Sequence, residues 1–566
     1  MCGILGGSET EWDYEAALES MRYRGPDGLR VKKGKEFSLG FVRLSIMDLS
    51  DNGMQPMESD DGKVTIVFNG EIYGFKRLKN ELIRKGYIFK SGSDTEIILN
   101  SYLEYGDDFI YKIDGMFAIA IYDQKRGVVK LYRDRVGIKP LYYYWDGKHF
   151  AFGSELEPIK VLLNNMKLNI DYTALYDYLT YTYIPEPKSM YKNLYKLEPG
   201  KTITYYVKNR KLSRPKEYWV LTPNDTVAGK RKKEDIEESI RELITESVEE
   251  QMVADVPVGS FLSGGIDSSI VTYESLKYNT NIETFSMGFT NKQFDELGYA
   301  RLMADKFNIR RNEQILDRKM FNGLYPKLKE WYDEPFSDTS AFPTYLVSKL
   351  AKEKVTVVLT GDGGDEIFGG YYRYEQFLNG KGNGRINNRI LSGFIEQHLY
   401  DNSVVGDTRL LEPVSAICPL YEYLQKGDKR KYAEKWGIPK DYDDYWYFRK
   451  HYHKELPPIT RLQYLDFKTY LPSDVLTKVD RASMQVSLEA RVPLLSKKVI
   501  EYAFSLSQED RNPDHVLKGS LKNAYKGLIP DQILFRKKMG FSIPDEYMRK
   551  KVSRQEELLK TVWKLL

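Results

Sequence analysis

Ser260-Phe261-Leu262-Ser263-Gly264-Gly265-Ile266-Asp267-Ser268-Ser269 is the stretch whose reading decides the fold. Apolar Val256, Val258, Phe261 and Leu262 lead into it, as a buried strand does. Ser263-Gly264-Gly265 is a turn of small residues, and Asp267, Ser268 and Ser269 suit the first turn of a helix. Two glycines let the backbone approach a ligand closely, and the free N–H groups of a turn and a helix start form an anion nest. The chemistry is a phosphate grip with a carboxylate beside it, and such a carboxylate commonly holds Mg²⁺. It is not a Walker loop, because no Gly-Lys-Ser/Thr follows the glycines. Ser-Gly-Gly alone would also suit an ordinary strand–turn–helix; the attached Asp-Ser-Ser and the apolar lead-in favour the phosphate site.

The chain around this stretch has 566 residues, too many for one core, so two or more domains are expected. Basic and acidic residues nearly balance, at 85 against 81, which gives no argument for nucleic acid or membrane partners. No apolar run approaches the ~18 residues of a membrane span, and no secretion signal is visible. The two cysteines, Cys2 and Cys418, fit a reducing cytoplasm and leave Cys2 free for chemistry. His451 and His453 lack acidic or Cys company at metal-ligand spacing and read as surface residues.

Cys2 carries a thiol beside a free α-amino group if Met1 is removed. That amine has a pKa of roughly 7.7–8.0, so one residue can supply both nucleophile and base. Alone, Cys2 reads equally as a small buried residue near a chain start. Arg24-Gly25-Pro26-Asp27, Arg43-Leu44-Ser45-Ile46-Met47, Phe68-Asn69-Gly70-Glu71-Ile72-Tyr73 and Ser93-Asp94-Thr95-Glu96 follow. Short β-prone pieces run between them (Val64 to Phe68, Met116 to Tyr122, Val128 to Tyr132), with helices expected at Phe75 to Lys85 and Thr95 to Tyr105. The reading is α+β with antiparallel sheets. Asn69-Gly70 suits a bare hairpin turn, or an oxyanion hole built from a side-chain amide and a Gly N–H. Arg43 can clamp a carboxylate in bidentate fashion, and Asp94 can hold an ammonium.

Residues 1–205 are read as one domain, 206–235 as a polar linker and 236–566 as the second domain. Ile236 to Met252 has a packing helix's spacing. Ile282 to Phe289 and the β-branched run Val355 to Thr360 read as strands of a doubly wound parallel sheet. Ligands in such sheets sit at the carboxyl ends of strands. The phosphate loop lies there, and so does Gly361-Asp362-Gly363-Gly364-Asp365-Glu366, read as a Mg²⁺ and substrate loop rather than a solvated acidic turn. Leu471 to Leu495 reads as an amphipathic helix closed by Pro493, and Phe535 to Phe541 as a mobile basic loop.

The N-terminal motifs resemble the glutaminase domain of class II glutamine amidotransferases. Ser-Gly-Gly-x-Asp-Ser resembles the pyrophosphate loop of ATP pyrophosphatases. Both in this order, over nearly the whole chain, resemble the glutamine-hydrolysing asparagine synthetase family. The resemblance implies an αββα N-terminal-nucleophile sandwich followed by an adenine nucleotide α-hydrolase-like α/β domain. It implies Cys2 as nucleophile, Arg43 with Leu44, Ser45, Ile46 and Met47 at the glutamine carboxylate, Asn69 and Gly70 at the oxyanion, and Glu71 and Asp94 near the substrate amine. ATP as substrate would meet Leu262, Ser263, Gly264, Gly265, Asp267, Ser268, Met287, Thr360 and Gly361. Mg²⁺ would meet Asp267 and Asp365, and Lys538 the transition state or the pyrophosphate. Asp362 stands where the family often has Glu, Ser496 where it usually has Asp, and Arg310-Arg311-Asn312-Glu313 where a His-rich version is common. The implied function is ATP-dependent amidation of aspartate, possible partners being small molecules and, since the family includes dimers, a second copy. Another carboxylate acceptor, such as a sugar acid or a peptide side chain, and a catalytically idle binding protein are the rival readings.

Overall fold

The computed structural model describes residues 2–164, 166–223, 231–374, 426–453, 455–541, 543–547 and 554–565; Cys418 lies outside them. Among the described residues the N-terminal part builds two antiparallel sheets. The first runs in the order Leu194–Lys196, Tyr142–Trp145, Phe150–Gly153, Gly3–Gly7, Ser38–Arg43, Gly28–Lys32. The second runs Lys211–Leu212, Lys201–Tyr206, Val128–Arg133, Asp114–Asp123, Val64–Tyr73, Met57–Glu58. Alternate apolar residues of both fill the space between them, among them Ile4, Phe41 and Phe152 from one and Val67, Ala118 and Leu131 from the other. Helices Tyr14–Glu19 and Leu156–Leu162 cover the outer face of the first sheet, and Lys76–Arg84 and Asp94–Tyr105 that of the second. The layers are α, β, β, α.

Asn69-Gly70 is not a hairpin turn. It lies within the ten-residue strand Val64–Tyr73, paired along its length with Asp114–Asp123. Gly70 has φ +152°, and a Cβ there would collide with the Met116 carbonyl oxygen, so only glycine allows this strand distortion. The stretch read as a linker is partly sheet, because Lys211–Leu212 and Lys216–Glu217 both pair with Lys201–Tyr206. Helix Tyr172–Tyr181 shares a buried cluster with Trp331, Tyr332 and Phe448 of the C-terminal part.

The C-terminal part is organised by a parallel sheet, five-stranded among the described residues, in the order Arg310–Leu316, Glu283–Phe289, Val258–Phe261, Val357–Leu359, Glu489–Arg491. Helices cover both faces: Ala341–Lys352 packs with Phe285, Met287 and Val358 on one side, and Lys233–Gln251 and Ile266–Ser275 with Leu262 and Leu359 on the other. The last strand is absent from the sequence reading. Leu471–Leu476 is a π-helix and Thr477–Met484 an α-helix; Ser487 then turns left-handed at φ +54°, and the strand begins two residues later. Pro493 therefore does not close a helix; it opens a short 3₁₀ turn, Pro493–Leu495. His451 also departs from expectation: it is half-buried against the Tyr447 ring, 5.5 Å between centroids, and burial beside Lys468 pushes its pKa down to about 3. His453 is exposed and pairs with Glu455 at 2.7 Å. No helix among the described residues is long and apolar enough to cross a membrane.

Ser496, where an acid was expected, is the N-cap of helix Lys497–Ser505, its hydroxyl accepting from Val499 N at 3.4 Å. Asp and Ser cap equally well, so the exchange conserves the local function. Ser496→Ala should lower unfolding free energy by about 1 kcal/mol and Ser496→Asp should leave it within a few tenths, read by urea denaturation.

Candidate active sites

Cys2 enters the strand Gly3–Gly7 at the edge of the inter-sheet core. Its backbone nitrogen donates to Asn69 Oδ1 at 3.0 Å, and its Sγ lies 3.8 Å from the Leu44 carbonyl oxygen. Arg24 Nε donates to the Cys2 carbonyl at 3.2 Å. Asn69 is fully buried, with its Nδ2 toward Ser154 Oγ at 3.5 Å, so the amide is fixed by what surrounds it. Burial pushes the Cys2 thiol pKa up, with the chain-terminal charge and the Leu44 contact opposing. A thiol held up in this way needs a base close by.

Around Cys2 the expected substrate-binding groups converge. Arg43, at the end of strand Ser38–Arg43, spends part of its guanidinium on the carbonyls of Ser50 (2.7 Å) and Asp48, which leaves the rest of its fork for a ligand. Ser45 N donates to Asp27 at 2.7 Å. Leu44 and Ile46, with Met47 beside them, turn their side chains onto Val357 and Met484 of the second domain; toward Cys2, Leu44 presents its carbonyl oxygen. Asp94 begins the helix Asp94–Tyr105 and accepts from Ile72 N at 3.0 Å. Burial, with Glu489 nearby, pushes its pKa up to about 7, and burial beside Asp94 raises Glu71 well above the carboxylate range. Arg491, fully buried, lies 3.2 Å from Glu71 and 2.7 Å from Glu489. Sequence reasoning missed Glu489 and Arg491 as parts of this pocket, since they arrive from the second domain's sheet.

The second site sits where the sheet's strands end. Gly264 has φ +78°, and a Cβ there would lie 2.7 Å from Ala300 N. Gly265 caps helix Ile266–Ser275 without a side-chain bond, which leaves the first N–H groups of the helix for an anion, while Gly265 N itself donates to Ser263 Oγ at 3.3 Å. Ser268 Oγ ties the loop by accepting from Ser263 N at 3.2 Å. Leu262 and Met287 are buried in the clusters on opposite sheet faces, and Thr360 is buried at the end of its strand. Gly361 presses on the first loop so tightly that a Cβ would lie 2.7 Å from the Asp267 backbone carbon. Asp267 and Asp365 are thereby brought together from separate loops. Lys518, almost fully buried, bonds both, at 2.6 Å to Asp365. Lys538 pairs with Asp365 and lies 4.1 Å over the Tyr371 ring. Against the opposing effect of burial, these two ammonium groups hold Asp365 below its usual range. Buried Asp267 Oδ1, facing this cluster, accepts no hydrogen bond, which suits an oxygen able to take a divalent cation. Asp362 is half-buried in the same loop, its N–H toward Thr360 Oγ1 at 3.4 Å. Lys518 was not foreseen; Leu517-Lys518-Gly519 forms no motif, and only the fold carries it to the acids.

A buried belt of charge lies between the sites: Arg24 pairs with Glu155 at 2.8 Å and Asp480 at 2.9 Å, and Arg481 with Glu155 at 2.6 Å and Asp333 at 2.9 Å. Arg24 and Glu155 come from the N-terminal domain, the others from the C-terminal one. Arg24, from the segment Arg24 to Asp27 picked out in the sequence, thus meets Asp480 across the interface.

Comparison with known proteins matches both halves. A family model described as "Asparagine synthase" covers residues 239–562, and one described as "Glutamine amidotransferase domain" covers residues 1–219. Asparagine synthetase [glutamine-hydrolyzing] 1 of Bacillus subtilis is 34% identical, over 96% of this chain and 87% of its own length. A putative asparagine synthetase [glutamine-hydrolyzing] 2 of Methanocaldococcus jannaschii is 40% identical over 67% of this chain and 77% of its own. Among solved structures, a glutamine phosphoribosylpyrophosphate amidotransferase from B. subtilis aligns at TM-score 0.31 and 13% identity, over 64% of this chain and 81% of that one, too loosely to bear on the argument.

Lys518→Met would leave the Asp267 and Asp365 carboxylates facing each other without their cation. It should cost about 3 kcal/mol in a thermal melt, and Mg²⁺ should recover much of that loss while raising the wild-type midpoint far less.

Proposed function

The chain belongs to the asparagine synthase family, and on that premise we propose how its two sites share the work of a glutamine-dependent, ATP-dependent amide ligase. The reaction converts glutamine, aspartate, ATP and water to glutamate, asparagine, AMP and pyrophosphate. Residues 1–205, with the strands that extend their sheet to Glu217, hydrolyse glutamine; residues 236–566 make the amide. Cys2 is the nucleophile. With Met1 removed, the nitrogen now held by Asn69 becomes an α-amine of pKa roughly 7.7–8.0, able to take the thiol proton. Arg43 receives the substrate carboxylate, with backbone help from Leu44 to Met47, and Glu71 and Asp94 receive its ammonium. Asn69 and Gly70 serve the oxyanion of the tetrahedral intermediate. Ammonia then travels inside the protein, where it is not protonated by water.

In the second site the nest from Ser263 to Ser268 takes the phosphates of ATP, and Leu262, Met287, Thr360 and Gly361 its adenosine. Asp267 and Asp365 would hold Mg²⁺, whose charge offsets that of the phosphates. The acceptor carboxylate attacks the α-phosphorus and pyrophosphate leaves; ammonia attacks the acyl carbon and AMP leaves. Lys538, beside Asp365, would meet the charge that develops on the phosphate, and Asp362, from the same loop as Asp365, would take the proton that ammonia loses. The observation that carries this reading is the meeting of Asp267 and Asp365 at one buried cation, in a chain that also sets Cys2 against Asn69. The cytoplasm, with ATP and reduced thiols, is the proposed location.

Cys2→Ala should abolish synthesis from glutamine and leave synthesis from ammonium intact, whereas Asp267→Ala should abolish both and leave glutamine hydrolysis; loss of every activity in both variants would refute this division. The buried acids also set a pH dependence. Asp94 and Glu71 bind an ammonium only when ionised, and both have raised pKa values. The KM for glutamine should therefore rise roughly tenfold as pH falls from about 8 to about 6, measured by glutamate release.

A further inference from the structure

A hollow of about 380 Å³, its open mouth included, lies between the two domains, and no step above uses it. Arg135, Glu186, Glu198 and Lys201 reach its wall from the N-terminal domain, and His451 and Lys468 from the C-terminal one. Lys201 pairs with Glu198 at 2.6 Å, and Lys450 pairs with the same carboxylate. That leaves Lys468 with no ion-pair partner among the described residues, although it is half-buried. Glu217, exposed at the rim, and Glu198 act on it only at longer range, and burial pushes its pKa down. Burial, and then the three lysines, keep His451 neutral. Positive charge is thus in excess on this wall.

Two further polar atoms on the wall lack partners. Arg135, 5% exposed, bonds Asp114 at 3.2 Å and the Ile113 carbonyl at 2.9 Å, but its buried Nε has no acceptor. Glu186, 2% exposed, accepts from Arg133 through Oε1 at 2.6 Å, but its buried Oε2 accepts nothing. An unpaired ammonium and an orphaned guanidinium N–H call for an anion with several acceptor oxygens. The orphaned carboxylate oxygen calls for a donor in the same place, and it would repel an anion with no proton to offer. Chloride has no donor and a single acceptor atom, and sulfate has acceptors alone. Hydrogen phosphate has both, since it carries acceptor oxygens and one O–H.

We infer that this interdomain hollow is a binding site for hydrogen phosphate, with Lys468 and Arg135 taking its oxygens and Glu186 its O–H. None of these residues belongs to the nest from Ser263 to Ser268, so the site is separate from the one proposed for ATP. Both domains supply its wall, and occupancy therefore ties Lys468 of one to Arg135 and Glu186 of the other. The empty site carries a cost, because a half-buried ammonium stands without a counter-ion.

The test uses the full-length protein without nucleotide, near neutral pH, by calorimetric titration and thermal melting with inorganic phosphate, and with sulfate at matched ionic strength. Phosphate should bind wild type with a Kd on the order of 1 mM and, at about ten times that concentration, raise the melting midpoint by about 2 °C. Sulfate should bind at least about tenfold more weakly. Lys468→Met should weaken phosphate at least about tenfold, and in phosphate-free buffer it should melt at or above wild type, the opposite of what loss of a structural lysine would do. Glu186→Gln should narrow the preference for phosphate over sulfate. Lys538→Met, altered at the ATP site, should keep the phosphate response. No binding by wild type, equal binding of the two anions, or unchanged binding in Lys468→Met would overturn the site. So would a response lost in Lys538→Met and kept in Lys468→Met, which would put the phosphate in the ATP nest.

Discussion

The buried pair between Arg491 and Glu71 is the constraint on which the two-domain structure turns. Arg491 is wholly out of solvent and gives its remaining donors to Glu489 and to the carbonyls of Gln251 and Val253, each at 2.7 Å. An arginine so placed cannot shed its charge, and a glutamate as buried as Glu71 does not keep its charge without one. The pocket around Cys2 is therefore electrically complete only when the second domain's edge strand is in place. Leu44 and Ile46 repeat the dependence in apolar form, packing on Val357 and Met484.

That edge strand also reaches the nucleotide loops. Arg491 O accepts from Thr360 N at 2.9 Å, and three residues on, Leu494 and Leu495 pack under Gly363 and Gly364. One run, Glu489 to Leu495, thus touches the pocket around Cys2 at one end and the loops that carry Asp267 and Asp365 at the other. The buried belt from Arg24 through Glu155 to Arg481 and Asp333 ties the same surfaces together. Breaking either partner of such pairs leaves a bare buried charge, so the interface favours one relative placement of the domains.

Much of this architecture is legible in the order of the residues. Ser263 to Ser269 declares itself because strand, turn and helix start are contiguous, and local chemistry suffices. The same holds for Gly361 to Glu366, and for the helices Lys76–Arg84 and Asp94–Tyr105, whose spacing is regular. What the sequence hides is set by tertiary partners. Asn69-Gly70 has the composition of a turn, yet ten paired residues override it. Glu489-Ala490-Arg491 reads as a charged helix flank because the pairing of its acid and base with each other, and of Arg491 with Glu71 of the other domain, is formed only in the fold. Lys518 carries no motif, and its meaning comes only from Asp267 and Asp365. Ser496 has the look of a lost acid and is a helix cap.

The account stands on nitrogen passing between the sites without entering bulk water. The direct measurement is mass spectrometry of asparagine made by the wild-type protein from amide-¹⁵N glutamine in a large excess of unlabelled ammonium, at a pH near neutrality. The account predicts product carrying mainly ¹⁵N. Product whose label matches the bulk ammonium would show that the first site feeds solvent, and the coupled geometry described here would then have no role in the reaction.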